Sequence, residues 1–238
     1  MMVFNSYFRS GFQLFVALFS VLALSSSFAF ANPTESLLHR FNQAEQGNSA
    51  LVDSVHDELA ALIEQQGATP LTLVYLGCTQ TLQGREAFMP WNKMKFTESG
   101  LATIQKGLDL MASQPIAVQE QQRSQGLPEY LLATAMAATT YTALPDMFNH
   151  FERGYELYLA LINDPSFNQQ SFSFTAWIYR YAIEAALRAN DETQAQDWLA
   201  EMERLGYDNI ETQNAKANSL SKRTTAEQRK RREITSVR

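Results

Sequence analysis

The chain has 238 residues, a formal net charge of −6 and one cysteine, Cys78. A single cysteine excludes an internal disulfide, so stability must come from packing, and the chain is long enough for one sizeable core. The charge is uneven: residues 32–215 carry 23 acids and 10 bases, whereas residues 216–238 carry 8 bases and 2 acids. The acidic body excludes a nucleic-acid-binding face there, because phosphate binding needs clustered Lys and Arg.

The N-terminal residues 1–31 have the pattern of a secretory signal peptide. Arg9 precedes an apolar run over residues 12–24, and the small-x-small sequence Ala-Phe-Ala ends at Ala31. We therefore expect a mature chain that begins at Asn32 and is exported to the periplasm or secreted. An uncleaved signal that acts as an anchor remains the alternative. No later stretch is a transmembrane candidate.

Apolar residues at three- and four-residue spacing dominate the rest of the chain, and no segment shows sustained strand-type alternation. The pattern predicts an all-α domain over residues 32–213, built of antiparallel helical hairpins. These would stack as a tetratricopeptide-like α-α superhelix or form a compact helical array. The predicted helices cover residues 34–46, 49–67, 70–84, 91–112, 128–144, 145–162, 172–189 and 191–205. Residues 114–126 are predicted to be a linker or a solvated helix.

The third and fourth helices form the central unit of the prediction. Two glycines inside the fourth helix, Gly100 and Gly107, each cost about 1 kcal/mol relative to alanine. Because such a cost needs a compensating reason, we expect another helix to approach closely at these positions. Between the two helices, Gly84 is predicted to end the first one and Pro90 to restrain the turn.

The corner between these helices is the leading candidate binding site, because bases and large aromatic residues are concentrated there on an otherwise acidic chain. The alternative is that the aromatics fill the wedge between the helices and the bases pair with Glu86 and Glu98. The candidate binding residues are Arg85, Phe88, Trp91, Lys93 and Lys95.

A second candidate surface is rich in aromatic residues, for which a core role is the favoured interpretation. Its members are Phe151, Tyr155, Tyr158, Trp177, Tyr179 and Tyr181. The three histidines, His39, His56 and His150, are far apart and show no metal-ligand spacing. Cys78 is interpreted as a small buried hydrophobe. We find no phosphate loop or nucleophile motif, so we expect no enzyme activity, no metal and no cofactor.

The segment over residues 177–207 resembles a tetratricopeptide repeat unit. Small Ala182, Ala185 and Ala186 on one helix are followed by a turn at Asn190, then by Trp198 and a terminal Gly206. The resemblance implies a helical-repeat protein that binds a protein or peptide. The stretch with Arg85, Pro90, Trp91, Lys93 and Gly100 also resembles exported helical proteins found beside bacterial transport systems.

The sequence therefore supports a non-enzymatic periplasmic or secreted protein that binds a protein or peptide. The alternative is a ligand-binding accessory subunit of a cell-envelope transport system that uses the corner from Arg85 to Lys95. The basic segment over residues 214–238 is expected to be a disordered tail with weak contact to anionic membranes as one option.

Overall fold

The structure is a computed structural model that describes residues 32–222. The predicted signal peptide and the tail beyond residue 222 lie outside this part of the chain. Ten α-helices are present in the described part, packed as adjacent antiparallel pairs in a compact helical array. They are α1 (Glu35–Glu45), α2 (Val52–Gln66), α3 (Pro70–Glu86), α4 (Pro90–Ser113), α5 (Glu129–Ala143), α6 (Phe151–Ile162), α7 (Pro165–Asn168), α8 (Phe172–Arg188), α9 (Glu192–Gly206) and α10 (residues 210–222).

Local sequence signals set several of the helix starts. The Thr34 side chain accepts a hydrogen bond from the Leu37 backbone N–H at the start of α1. Thr69 and Thr72 form a reciprocal capping box at the start of α3, and Pro70 occupies the first helical position, where its missing N–H costs nothing. The all-α prediction is confirmed.

Helices α3 and α4 touch backbone to backbone. A Cβ atom added to Gly77 would lie 2.6 Å from the Gly100 carbonyl oxygen, and one added to Gly100 would lie 2.5 Å from the Gly77 oxygen. One added to Gly107 would lie 2.9 Å from the Pro70 oxygen. Since real Cβ atoms do not come this close, only glycine permits the observed separation. The predicted close approach at Gly100 and Gly107 is confirmed.

The prediction that Gly84 ends the third helix is wrong. Helix α3 continues to Glu86, and a Cβ added to Gly84 would lie 2.4 Å from the Thr97 side-chain oxygen. Gly84 lies seven residues after Gly77, which is about two helical turns. Both glycines therefore lie on the face of α3 that contacts α4. Its role is therefore helix contact.

Helix α5 lies at the centre of the array, where it contacts α3, α4, α6 and α8. Its alanine-rich sequence allows these close neighbours, and Leu131, Ala135 and Ala138 are fully buried. Fully buried tyrosines lie on α3, α5 and α6, at Tyr75, Tyr141 and Tyr158.

The segment between α4 and α5 is a structured connection. A 3-10 turn at Val118–Glu120 is followed by two short antiparallel strands, β1 (Arg123–Ser124) and β2 (Leu127–Pro128). Gln125 and Gly126 form the turn between them with φ angles of 51° and 79°. Of the two alternatives for residues 114–126, the linker is therefore the closer one.

Two other boundaries differ from the sequence prediction. Residues 145–162 do not form one helix, because Asn149 adopts a left-handed conformation after a 3-10 turn at Asp146–Phe148. Residues 214–222, which were assigned to the basic tail, belong to helix α10. Ala215 is fully buried and Lys216 pairs with Glu203 at 2.9 Å, which anchors this helix to α9. Among residues 32–222, no helix is long and apolar enough to cross a membrane.

The α3–α4 contact predicts a selective loss of stability. Replacement of Gly100 by alanine should lower the free energy of unfolding by about 1–3 kcal/mol, because overpacking outweighs the gain in helix propensity. The measurement is urea denaturation followed by circular dichroism. The matched control is Ser99→Ala, an exposed neighbour in the same helix, which should change stability by less than about 0.5 kcal/mol. An unchanged or increased stability of Gly100→Ala would contradict the packing argument.

Candidate functional site

A cleft of about 780 Å³ lies between α1, α3, α4, α5, α8 and α10. Most of its wall is apolar. One side comes from the α1 and α3 helices, the other from α5 and the segment that follows it, and α8 contributes an aromatic residue. Prominent apolar lining residues are Phe41, Leu82, Met94, Met136, Phe148 and Trp177.

Three of the four threonines that line the cleft have hydroxyl groups with a partner in the protein. The Thr81 hydroxyl donates to the Cys78 carbonyl at 2.7 Å, and the Thr139 hydroxyl donates to the Ala135 carbonyl at 2.9 Å. Such hydrogen bonds to the preceding helical turn satisfy the hydroxyl within its own helix. These hydroxyl groups therefore need no partner from an occupant of the cleft.

Arg85 lies at the rim of the cleft and holds the end of α1. Its two terminal nitrogens donate to the carbonyls of Ala44 at 2.9 Å and Glu45 at 3.0 Å, and its Nε pairs with Glu86 at 2.7 Å. These carbonyls belong to the last turn of α1, where helical partners run out, and the Ala44 carbonyl also accepts from the Gly47 backbone N–H at 3.1 Å. Arg85 is therefore a helix cap that also borders the cleft.

Lys93 lies beside Arg85 on the first turns of α4. Its Nζ donates to the Arg85 carbonyl at 3.0 Å. Both residues line the cleft. The structure thus brings two of the five predicted binding residues to one cavity.

The other three predicted binding residues, Phe88, Trp91 and Lys95, lie outside the cleft. Phe88 is 91% exposed and Trp91 is 63% exposed. The alternative that these aromatics fill the wedge between α3 and α4 is wrong, because glycines already bring those helices into contact and leave no gap. The pairing of the bases is borne out in part, since Arg85 pairs with Glu86. Pro90 lines the cleft, so the exposed corner is continuous with its rim.

Another part of the cleft wall, around Arg180, carries an ion network with more carboxylates than cations. Arg180 pairs with Glu211 of α10 and, at 3.0 Å, with Glu184 of its own helix. Its guanidinium lies 3.9 Å from the centre of the Tyr181 ring, which is a cation–π geometry. This network joins α8 to α10 and places one cation between two carboxylates.

The aromatic surface predicted as a second candidate separates into two groups. Tyr158 and Tyr179 are buried, as the core interpretation expects. Trp177 and Tyr181 line the cleft. Tyr155 donates to Asp191 at 2.9 Å, which connects α6 to the start of α9. Two of the six residues of this surface therefore line the cleft, although the sequence favoured a core role for all of them.

Cys78 is buried in the wall, as expected for a small hydrophobe. Its Sγ lies 3.0 Å from the Thr140 hydroxyl oxygen. Burial raises the pKa of this thiol to about 12, with the Thr140 hydrogen bond opposing the shift. At neutral pH the folded protein therefore holds Cys78 as the protonated, weakly nucleophilic thiol.

The histidines do not come together into a recognisable centre. His150 contacts the Phe148 carbonyl at 2.5 Å and its ring lies 5.1 Å from that of Tyr141, while His56 pairs with Asp57. Across residues 32–222, no three His, Cys, Asp or Glu side chains are placed to hold a metal ion. The absence of metal, cofactor and catalysis stays a prediction.

The chain matches no known family model, and comparisons with curated proteins and with solved structures also found no match. The tetratricopeptide resemblance is supported only at the level of an antiparallel helix pair, which α8 and α9 form.

The buried thiol gives a test of the site geometry. A maleimide reagent should label Cys78 in the native protein at least about a hundredfold more slowly than in the unfolded chain, because the fold disfavours the thiolate. The pKa of the Cys78 thiol is raised from 9.0 to about 12 on folding, so the fold favours the protonated thiol. The stability that depends on this protonated thiol is fully present below pH 9 and is lost between pH 9 and 12. The labelling rates are measured at neutral pH by mass spectrometry. Equal rates in the native protein and in the unfolded chain would contradict this assignment.

Proposed function

We propose that this chain is a non-enzymatic binding protein and that its central cleft holds a largely apolar organic ligand. The observation that carries the proposal is the cleft itself. Its volume of about 780 Å³ falls within the range of about 300–1,000 Å³ that is common for small-molecule sites. Concave, mostly apolar sites between helices are a usual location for such ligands.

The chemistry of the wall supports an apolar ligand. Three methionines, Met94, Met136 and Met147, line the cleft together with aromatic rings. Methionine side chains are flexible and polarizable, so they adapt to ligands of different shape. Because Thr81 and Thr139 donate to their own helices, the main gain on binding is expected from burial of apolar surface.

The wall also supports binding without reaction. Cys78 is held protonated, and Arg180 is engaged by two carboxylates. Neither group is prepared to act as a nucleophile or a general acid at neutral pH. Together with the signal-like N-terminus, these features favour a ligand carrier or accessory subunit in the cell envelope.

A cavity-filling substitution tests the cleft as the binding site. Ala143 lies at the end of α5, and its replacement by phenylalanine should reduce the affinity for N-phenyl-1-naphthylamine, an uncharged apolar probe, by about tenfold or more, equivalent to about 1.4 kcal/mol. Probe fluorescence gives the binding curve. Since Ala143 lines the cleft and is exposed to it, the added ring displaces the ligand.

The matched control is Ala102→Phe, at an exposed position of α4 that does not line the cleft. It should bind the probe as the unmodified protein does. Absence of probe binding by the unmodified protein, or an equal loss in both variants, would count against the proposal.

A second candidate function is the binding of a protein or peptide partner at the corner. It is favoured by the exposure of Phe88 and Trp91, because large aromatic side chains anchor protein interfaces. The tetratricopeptide-like pair of α8 and α9 supports the same role, since helical repeats commonly present binding surfaces. This candidate uses the outer surface of the corner rather than the cleft.

The corner is tested by placing a photo-crosslinking amino acid at position 88, at position 91 or, as control, at position 102. If the corner binds a partner, positions 88 and 91 should give the same adduct in cells and position 102 should not. The purified partner should then lose at least about tenfold in affinity for a Phe88→Ala, Trp91→Ala double variant. Equal adducts at all three positions would reject the corner as a specific interface.

A further inference from the structure

We propose that the ligand of the cleft is a single-chain amphiphile with an anionic headgroup. Its headgroup lies beside Lys93 and Arg85, and its hydrocarbon chain occupies the apolar interior. This inference rests on the proposed function, because it names the chemical class of the molecule that the cleft binds. It depends on the difference in ion pairing between two parts of the wall, the one at Arg180 and the one at Lys93.

The part of the wall at Arg180 has no unpaired positive charge. The Arg180 guanidinium is paired with both Glu184 and Glu211 and stacks on Tyr181. One cation between two carboxylates leaves this part net negative. An anionic group placed there would meet repulsion that the apolar surroundings screen weakly.

The part of the wall at Lys93 differs in its ion pairing. Among residues 32–222, no carboxylate lies within ion-pair distance of Lys93, and its one hydrogen bond goes to a neutral carbonyl. An ammonium has three donors, so two of its N–H groups have no protein acceptor. Arg85 uses three of its five N–H groups and pairs with a single carboxylate. This part of the wall therefore holds unused N–H donors and an ammonium, that of Lys93, with no ion-pair partner.

The position of Lys93 suits a headgroup rather than a buried ion. Its side chain is exposed at the rim, so an anion bound there keeps part of its hydration and avoids the full cost of burial. Pro90 and Met94 flank it on α4 and line the cleft. The arrangement fits an anion at the rim followed by an apolar chain inside.

One acidic group competes with this assignment. Glu45 also lines the cleft, at the end of α1, and its backbone carbonyl is one of the acceptors of Arg85. If the Glu45 carboxylate set the charge preference, a cationic headgroup would bind more tightly than an anionic one. The choice of headgroups in the experiment separates these outcomes.

The experiment compares three ligands with the same decyl chain: decyl sulfate, decanol and decyltrimethylammonium, each below its micelle-forming concentration. Binding is followed by the change in tryptophan emission in a Trp91→Phe background, which removes the exposed corner tryptophan. Of the two that remain, Trp177 lines the cleft and Trp198 is buried outside it, so Trp177 is the one that a ligand contacts. Decyl sulfate should bind about tenfold more tightly than decanol, and decyltrimethylammonium more weakly than either.

Lys93→Met should remove the preference for decyl sulfate over decanol, because the ammonium is lost while the alkyl part of the side chain is kept. The matched control is Lys95→Met, two residues away, exposed and outside the cleft. It should retain the preference. Thermal melting verifies that both variants fold.

Three results would overturn the inference. Equal binding of the three ligands, tighter binding of the cation, or an equal loss in Lys93→Met and Lys95→Met would each reject an anion site at Lys93 while leaving the apolar cleft in place. In contrast, no binding of any decyl ligand, or decyl sulfate binding that Ala143→Phe leaves unchanged, would reject the cleft itself. The two failures are therefore distinguishable.

Discussion

The direct contact between α3 and α4 at Gly77 and Gly100 is the constraint on which the rest of the structure depends. At this contact each backbone occupies the space that a side chain would fill. The contact fixes where the N-terminal end of α4 lies relative to the C-terminal end of α3. Since Arg85 is at one of these ends and Lys93 near the other, the glycines indirectly position both cations at the rim of the cleft.

The close approach also explains the exposed corner. Where glycines join two helices, no wedge remains for large side chains between them. Phe88 and Trp91 must therefore lie outside, and their exposure is a consequence of the packing rather than of a long or mobile loop. The large aromatic residues that are fully buried include the tyrosines on α3, α5 and α6.

The sequence predicted the features that depend on local patterns. Apolar spacing and caps identified the helices, and the two glycines of α4 indicated a close neighbour. Gly84 was misassigned because a glycine near a helix end is usually a stop signal, and only the facing Thr97 shows its packing role. The boundary near residue 214 was missed because burial of a small residue such as Ala215 leaves little trace in composition.

The sequence identified single residues of the cleft but not the cleft itself, because its walls come from helices far apart in the chain. Arg85 and Trp177 were each singled out, but nothing in a single sequence indicated that α3 and α8 border one cavity.

Arg85 also joins two helices. Its guanidinium fastens the first helix of the described chain to the third, so any molecule that draws on the same guanidinium alters how firmly that first helix is held. If the proposed ligand engages this guanidinium, its binding and the stability of the last turn of α1 are coupled through one side chain.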